Sequence, residues 1–267
     1  MILAAIDIGS NAARLLLYEV VEKGKKTEFN RLNLIRIPLR LGFDVFEKGF
    51  IGGKKRKMLI DTIKAYKQLM KVYNVDHYMA CATSAMRDAE NGKDIIKDIQ
   101  TETSIEIEII SGELEAEIIY ENHIAELLDT SKSYLYIDVG GGSTELTLFE
   151  NAEVKLQKSF NVGTVRMLTD KVKNETWNEL KETLKDISKT KKDLIGIGSG
   201  GNINKIFSLI GIKNEDSLLS NSIKEIYKDM EPLSVQERMD KYNIKQDRAE
   251  VIIAVHALPE KPTAIEG

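Results

Sequence analysis

The chain has 267 residues, 42% of them hydrophobic, and a formal net charge of −4. That length supports one large domain or two ordinary ones with a real core. The acidic balance excludes nucleic-acid binding by bulk electrostatics, so an anionic ligand needs local basic groups, backbone N–H groups or a metal ion. The single cysteine, Cys81, excludes an internal disulfide, and its place in the apolar run 78–82 reads as a buried strand thiol. No apolar run approaches membrane-spanning length. The start, Met1 to Ile6, meets Asp7 with no basic segment before it, so no signal peptide is expected. These features point to a reducing cytoplasm and to no membrane partner.

Residues 2–8, 13–21 and 27–35 are apolar enough for three strands. Residues 36–53 carry Gly42, Gly49, Gly52 and Gly53 and are expected to be irregular. Met58, Ile60, Ile63, Tyr66, Leu69, Met70 and Tyr73 recur at helical spacing and predict a helix from Lys54 to Tyr73. A strand at 76–82, a helix at 93–102, an alternating strand at 105–110 and a helix at 113–128 follow. The second half repeats the scheme, with strands near 133–138, 143–149 and 153–159, helical sequence over 163–190 and a strand at 193–197. Helices follow to the end. The alternation predicts an α/β fold. The polar stretch around Asp129 to Ser133 divides it into lobes 1–126 and 127–267.

One motif occurs twice. Asp7-Ile8-Gly9-Ser10-Asn11 and Asp138-Val139-Gly140-Gly141-Gly142-Ser143 each follow an apolar strand and precede another, 131 residues apart. A third glycine-rich turn, Gly196 to Asn202, opens a helix. Glycine lets a backbone approach a ligand closely, and successive N–H groups in such a turn form an anion nest. One such turn is an ordinary hairpin; three, two of them in a duplicated frame, favour phosphate gripping between two lobes that face one cleft. None is a Walker A loop or a dinucleotide fingerprint.

Asp7 and Asp138 end their strands beside the turns. Carboxylates there either cap the turn or hold Mg²⁺, which prefers oxygen ligands and phosphate. Glu145 lies seven residues past Asp138, where the first copy has Arg14, so the two copies share a frame but not a role. Glu113, Glu115 and Glu117 crowd a helix start. Acids there are stabilising by themselves, yet Glu113 and Glu115 lie off the apolar stripe of Leu114 and Ile118. Arg87 follows a small-residue turn, where it can fork onto phosphate or pair with Asp88 or Glu90. Arg31, Arg36, Arg40, Lys48, Lys54, Lys55, Arg56 and Lys57 form either a guiding basic patch or a solvated face.

At these residues the chain resembles an exopolyphosphatase / guanosine pentaphosphate phosphohydrolase of the Ppx/GppA type. The resemblance rests on Asp7 to Asn11, Ala82 to Ala89, Ile110 to Gly112 with Glu115-Ala116 and Ile119-Tyr120, and Asp138 to Glu145. Asn161 to Arg166 and Gly198 to Asn202 also fit, and the whole covers roughly residues 2–253. It implies two ribonuclease-H-like lobes of the actin / sugar kinase / heat-shock chaperone ATPase type. It also implies Mg²⁺-dependent removal of a terminal phosphate from polyphosphate or guanosine pentaphosphate. Glu115 maps to the catalytic base, with Leu114 where the family has a neighbouring acid, and Glu145 to the second acid. The phosphate contacts would come from Gly9, Ser10, Asn11, Arg87, Gly140, Gly141, Gly142, Ser143 and Gly200. Asp7, Asp138 and Glu145 would hold the metal. Beyond Ile253 the chain departs from the family pattern, so the second lobe is expected to be incomplete at its C-terminus. A homodimer is compatible with the resemblance. Two other readings stay open: an ATP-dependent kinase of the same superfamily, and a non-catalytic module that binds either polyanion.

Overall fold

In the computed structural model, residues 1–24, 26–115, 129, 131–151, 153–190, 194–210, 220–253 and 265–266 are described. The chain forms two compact units, Met1–Ser111 and Gly112–Gly267.

The first unit runs β1 (Ile2–Ile8), β2 (Ala13–Lys23), β3 (Lys26–Ile37), α1 (Leu41–Lys48), α2 (Gly53–Val72), β4 (His77–Ala82), α3 (Ser84–Asp88), α4 (Gly92–Thr103) and β5 (Glu108–Ile109). Its sheet has the order β3-β2-β1-β4-β5. β1, β2 and β3 pair antiparallel, whereas β4 and β5 join in parallel. The two-residue period of a strand puts Ala4, Ile6 and Ile8 on one face with Leu15, Leu17, Ala80 and Ala82, all buried. Helix α2 packs there with Leu59, Ile63 and Tyr66, and the Tyr66 hydroxyl donates to the Ala13 carbonyl at 2.9 Å. Each such aliphatic side chain contributes ~1.5–3 kcal/mol by leaving water.

The second unit opens with a helical turn at 112–115. It continues with β6 (Ser133–Val139), β7 (Thr144–Glu150), β8 (Glu153–Phe160), α5 (Thr164–Leu168), α6 (Asn174–Thr190), β9 (Leu194–Ser199) and α7 (Gly201–Ile210). Then come α8 (Ser220–Met230), α9 (Val235–Tyr242), α10 (Gln246–Ala249) and β10 (Ile265–Glu266). The sheet order, β8-β7-β6-β9-β10, repeats that of the first unit. Each unit is thus a ribonuclease-H-like lobe. Leu135, Leu146, Leu148 and Phe160 face Leu180 and Ile187 of α6 on one side of the sheet. Tyr134, Tyr136 and Phe149 form the cluster on the other side.

Four features differ from the sequence expectation. The glycine-rich stretch 36–53 contains α1, because Gly49 at φ 84° ends a helix and Gly42 packs against Phe46 and Ser10. The alternating stretch 105–110 pairs only at Glu108–Ile109, since the Glu106 N–H goes to the Tyr78 hydroxyl instead. The helical sequence 163–190 breaks between α5 and α6, where Asp170 takes φ 53° and the Lys171 N–H returns to the Arg166 carbonyl. At the C-terminal end, β10 fills the fifth place of the second sheet with two residues paired to Gly196 and Ile197. Most of the helix expected at 113–128 lies outside the described residues.

Candidate active site

The two hairpin turns are built alike. Gly9 N–H donates to the Ala12 carbonyl at 3.0 Å, and Gly140 N–H donates to the Ser143 carbonyl at 3.0 Å. In the second unit the turn carbonyls are then pinned from one side. Gly140 accepts from Thr164 N–H at 3.0 Å, Gly141 from Val165 N–H at 2.8 Å, and Gly142 from the Arg166 guanidinium Nε at 2.9 Å. In a trans peptide the N–H points opposite to the preceding carbonyl. The N–H groups of Gly141, Gly142 and Ser143 are therefore each directed away from the donor that takes the preceding carbonyl. In the first unit, Ser10 and Asn11 carbonyls accept from Gly42 and Arg40 N–H groups, both at 2.8 Å. This turns the Asn11 and Ala12 N–H groups the other way.

Glycine at two more positions lets backbones meet around the second turn. A Cβ on Gly163 would lie 2.4 Å from Gly142 N. A Cβ on Gly200, at φ +104°, would lie 2.5 Å from the Val139 carbonyl oxygen and 3.0 Å from Asp138 Oδ1. Gly200 thus brings the third glycine-rich turn against Asp138. The next residues are held by Arg248, whose guanidinium sits against Gly201 and donates to the Asn202 side-chain oxygen.

The strand registers place the acids. Asp138 pairs with Glu145 across β6–β7, with Ser199 across β6–β9, and Glu145 pairs with Ser159 across β7–β8. Ser199, Asp138, Glu145 and Ser159 therefore form one row on one sheet face. Glu145 is 2% exposed and accepts a hydrogen bond from Ser159 Oγ at 2.9 Å. Tyr136, on the same face, has its phenol pushed above the usual range by burial, and the Asp138 carboxylate adds to this while a hydrogen bond with Ser199 opposes it. The matching row of the first unit is Cys81, Asp7, Arg14 and Arg36. There Arg14 forms an ion pair with Asp7.

The helical turn 112–115 meets this row at Ser159, which lies in the space a Cβ of Gly112 would need. Glu115 follows in that turn and is half-buried, while Glu113 is exposed. In the first unit, Arg87 donates to the Ile110 carbonyl at 3.0 Å and lies 3.9 Å from Asp88. It braces α3 against the end of β5. The Ser10 hydroxyl is buried and bonded to Ser84 Oγ at 2.8 Å. Much of the basic run is paired: Lys48 and Lys55 with Asp44, Arg56 with Asp98, Lys57 with Asp61. A groove of about 790 Å³ along Tyr78, Met79, Ile96 and Gln100 contains none of these turns.

Sequence reasoning gave no role to Ser159, Gly163 or Arg248, although Gly163 lies in the segment Asn161 to Arg166 that carries part of the resemblance. No sequence signal singles out Ser159, because the β7–β8 register that pairs it with Glu145 shifts at Leu148 and Phe149. Among the described residues no three His, Cys, Asp or Glu side chains gather as a metal cage. A Mg²⁺ ion that shares its shell with phosphate oxygens needs only one or two carboxylates. The Asp138–Glu145 pair has that number, beside the turn 140–143. Asp7 has one oxygen committed to Arg14.

A family model described as the Ppx/GppA phosphatase family matches residues 20–259. The chain is 31% identical over 215 residues to the bifunctional 3-dehydroquinate synthase/phosphatase of Fusobacterium nucleatum, covering 73% of this chain and 32% of that protein. It is 29% identical over 167 residues to exopolyphosphatase 1 of Mycobacterium tuberculosis, covering 62% of this chain and 48% of that protein. The chain thus spans about a third to a half of the length of these curated relatives. An exopolyphosphatase of Cytophaga hutchinsonii, solved by crystallography, has the same fold. Its TM-score is 0.82 at 22% identity, over 99% of this chain and 93% of that one.

Proposed function

Because the chain belongs to the Ppx/GppA phosphatase family, we propose that it hydrolyses the terminal phosphoanhydride bond of inorganic polyphosphate, guanosine pentaphosphate or both. The carrying observation is the pair Asp138 and Glu145, facing each other at the foot of a glycine-rich turn whose carbonyls are taken by residues 164–166. Donors for phosphate oxygens and carboxylates for a cation stand together there. Phosphoryl transfer asks for placement and charge neutralisation more than covalent chemistry.

The Gly141, Gly142 and Ser143 N–H groups hold phosphate oxygens. Gly200 lets the third turn lie against the Val139 carbonyl and Asp138. The turn Gly9-Ser10-Asn11 offers a second nest in the first unit, with Arg87 as a further cation. Asp138 and Glu145 are the residues that would hold Mg²⁺, with Asp7 as a weaker candidate because of Arg14. The bound ion would supply positive charge against the phosphate oxygens. Glu115 is assigned as the base. It takes a proton from water as the water oxygen bonds the terminal phosphorus and the bridging P–O bond breaks. The shortened chain leaves with the bridging oxygen. A cytoplasmic setting belongs to the same reading, supported by the lone cysteine; among the described residues no helix is long and apolar enough to cross a membrane.

The test is release of inorganic phosphate from long-chain polyphosphate and from guanosine pentaphosphate, with Mg²⁺ and with EDTA. Turnover of either substrate that EDTA abolishes supports the reading. A folded protein that binds both and releases nothing is a binding module instead. Phosphate transfer from ATP to an acceptor would favour a kinase.

A further inference from the structure

Glu145 is buried to 2% exposure, so its carboxylate is held by protein groups rather than by bulk water. One of those groups is Ser159, its partner in the β7–β8 ladder, which donates from Oγ at 2.9 Å. The other side of Ser159 faces Gly112. A Cβ on Gly112 would lie 2.4 Å from Ser159 Oγ and 2.7 Å from Ser159 Cβ, closer than real Cβ atoms approach. Gly112 is not among the residues at positive φ. Its backbone would accept any residue, and glycine is a poor helix former. The contact with Ser159, not the conformation, is what requires glycine at this helix start.

We propose that Ser159 is the positioning residue of this site. It fixes the carboxylate of Glu145 and, through Gly112, seats the helical turn that carries Glu115 against the same strand. Both acids then take their places from one side chain. A hydroxyl suits the task because it donates a proton without adding charge. A cation there would neutralise Glu145 as Arg14 neutralises Asp7. The proposal rests on the phosphatase reading above, and its test separates the two.

Three variants of the full chain serve, each assayed for phosphate release from polyphosphate and for its thermal midpoint. Ser159→Ala removes the hydroxyl and keeps the Cβ. Its kcat should fall by ~10–100-fold with KM within about twofold, as expected for a misplaced catalytic group. Placed on Glu145→Gln, the same change should matter less than about twofold, because residues that act as a unit are not additive. Gly112→Ala should lower both turnover and midpoint. Gly112→Ala combined with Ser159→Gly removes the collision, so the midpoint should rise above that of Gly112→Ala alone while turnover stays low. Recovered turnover in that pair would mean that Ser159 only fills space. A crystal structure of Ser159→Ala decides independently of activity. A displaced Glu145 carboxylate supports positioning even if the wild type releases no phosphate, in which case the functional reading fails alone. An unmoved carboxylate overturns the proposal whatever the turnover.

Discussion

Glu145 faces Asp138 across β6–β7 in the place where Arg14 faces Asp7 across β1–β2. One frame thus carries a neutral ion pair in the first unit and two acids in the second. Like charges directly opposite on a sheet are destabilising, by ~0.2–1 kcal/mol. The proposed cation would offset this repulsion. Glu145→Arg would not copy the first unit, because Arg14 is 37% exposed and Glu145 2%. Its unfolding free energy by urea should fall by ~1–3 kcal/mol from overpacking, and turnover should be lost.

Gly200 and Gly24 are both at positive φ, but their surroundings differ. Gly200 lies against the Val139 carbonyl and Asp138, whereas nothing lies within 4 Å of a Cβ on Gly24. Gly200→Ala should cost ~2–4 kcal/mol from strain and overpacking. Its thermal midpoint should fall by about 4–16 °C. Gly24→Ala should cost only ~1–2 kcal/mol for the left-handed backbone. Differential scanning calorimetry of the two variants checks the ranking.

The Ser10 and Ser84 hydroxyls are bonded to each other and are 3% and 2% exposed. Removing one leaves the other buried without that partner, at ~1–3 kcal/mol. Ser10→Ala and Ser84→Ala should each show this loss in urea unfolding. The double variant should cost less than their sum, since neither group is then stranded.

Burial pushes the Tyr66 phenol up to about 12 in the folded protein, and the Asp7 carboxylate adds to this. The unfolded chain ionises this phenol near pH 10, so folding favours the neutral form. Stability is therefore fully present below about pH 10 and is lost as pH rises towards 12. The loss attributable to Tyr66 should be ~1.4 kcal/mol between pH 9 and 11. Tyr66→Phe, compared by urea unfolding across that range, should lack this component of the slope.

The repeated hairpins were legible because the strands alternate and the turns carry glycine. The rest was hidden for identifiable reasons. Gly42 and Gly49 look like loop residues in sequence, yet one serves close packing and the other ends α1. The stretch 105–110 has strand periodicity, but a side-chain acceptor, Tyr78, takes the Glu106 N–H. Glu145 could be singled out by its offset from Asp138. The role of Ser159 could not, because it depends on β7–β8 register across a bulge at Leu148 and Phe149. It also depends on Gly112, nearly fifty residues away in sequence. Asp7 shows the converse: the motif offers it as a metal ligand, and the fold pairs it with Arg14 across β1–β2.

Glu115 and Glu145 of the second unit are proposed to carry hydrolysis of a terminal phosphoanhydride. Phosphate release from polyphosphate and guanosine pentaphosphate, with wild type, Glu115→Gln and Glu145→Gln side by side, decides it. A general base contributes ~10²–10⁴-fold, and loss of one charge-stabilising group ~10²–10³-fold. Both variants should fall by such factors while keeping the wild-type thermal midpoint to within a few degrees. Full turnover in either folded variant would contradict the assignment of that residue. Full turnover in both would place the chemistry elsewhere in the chain.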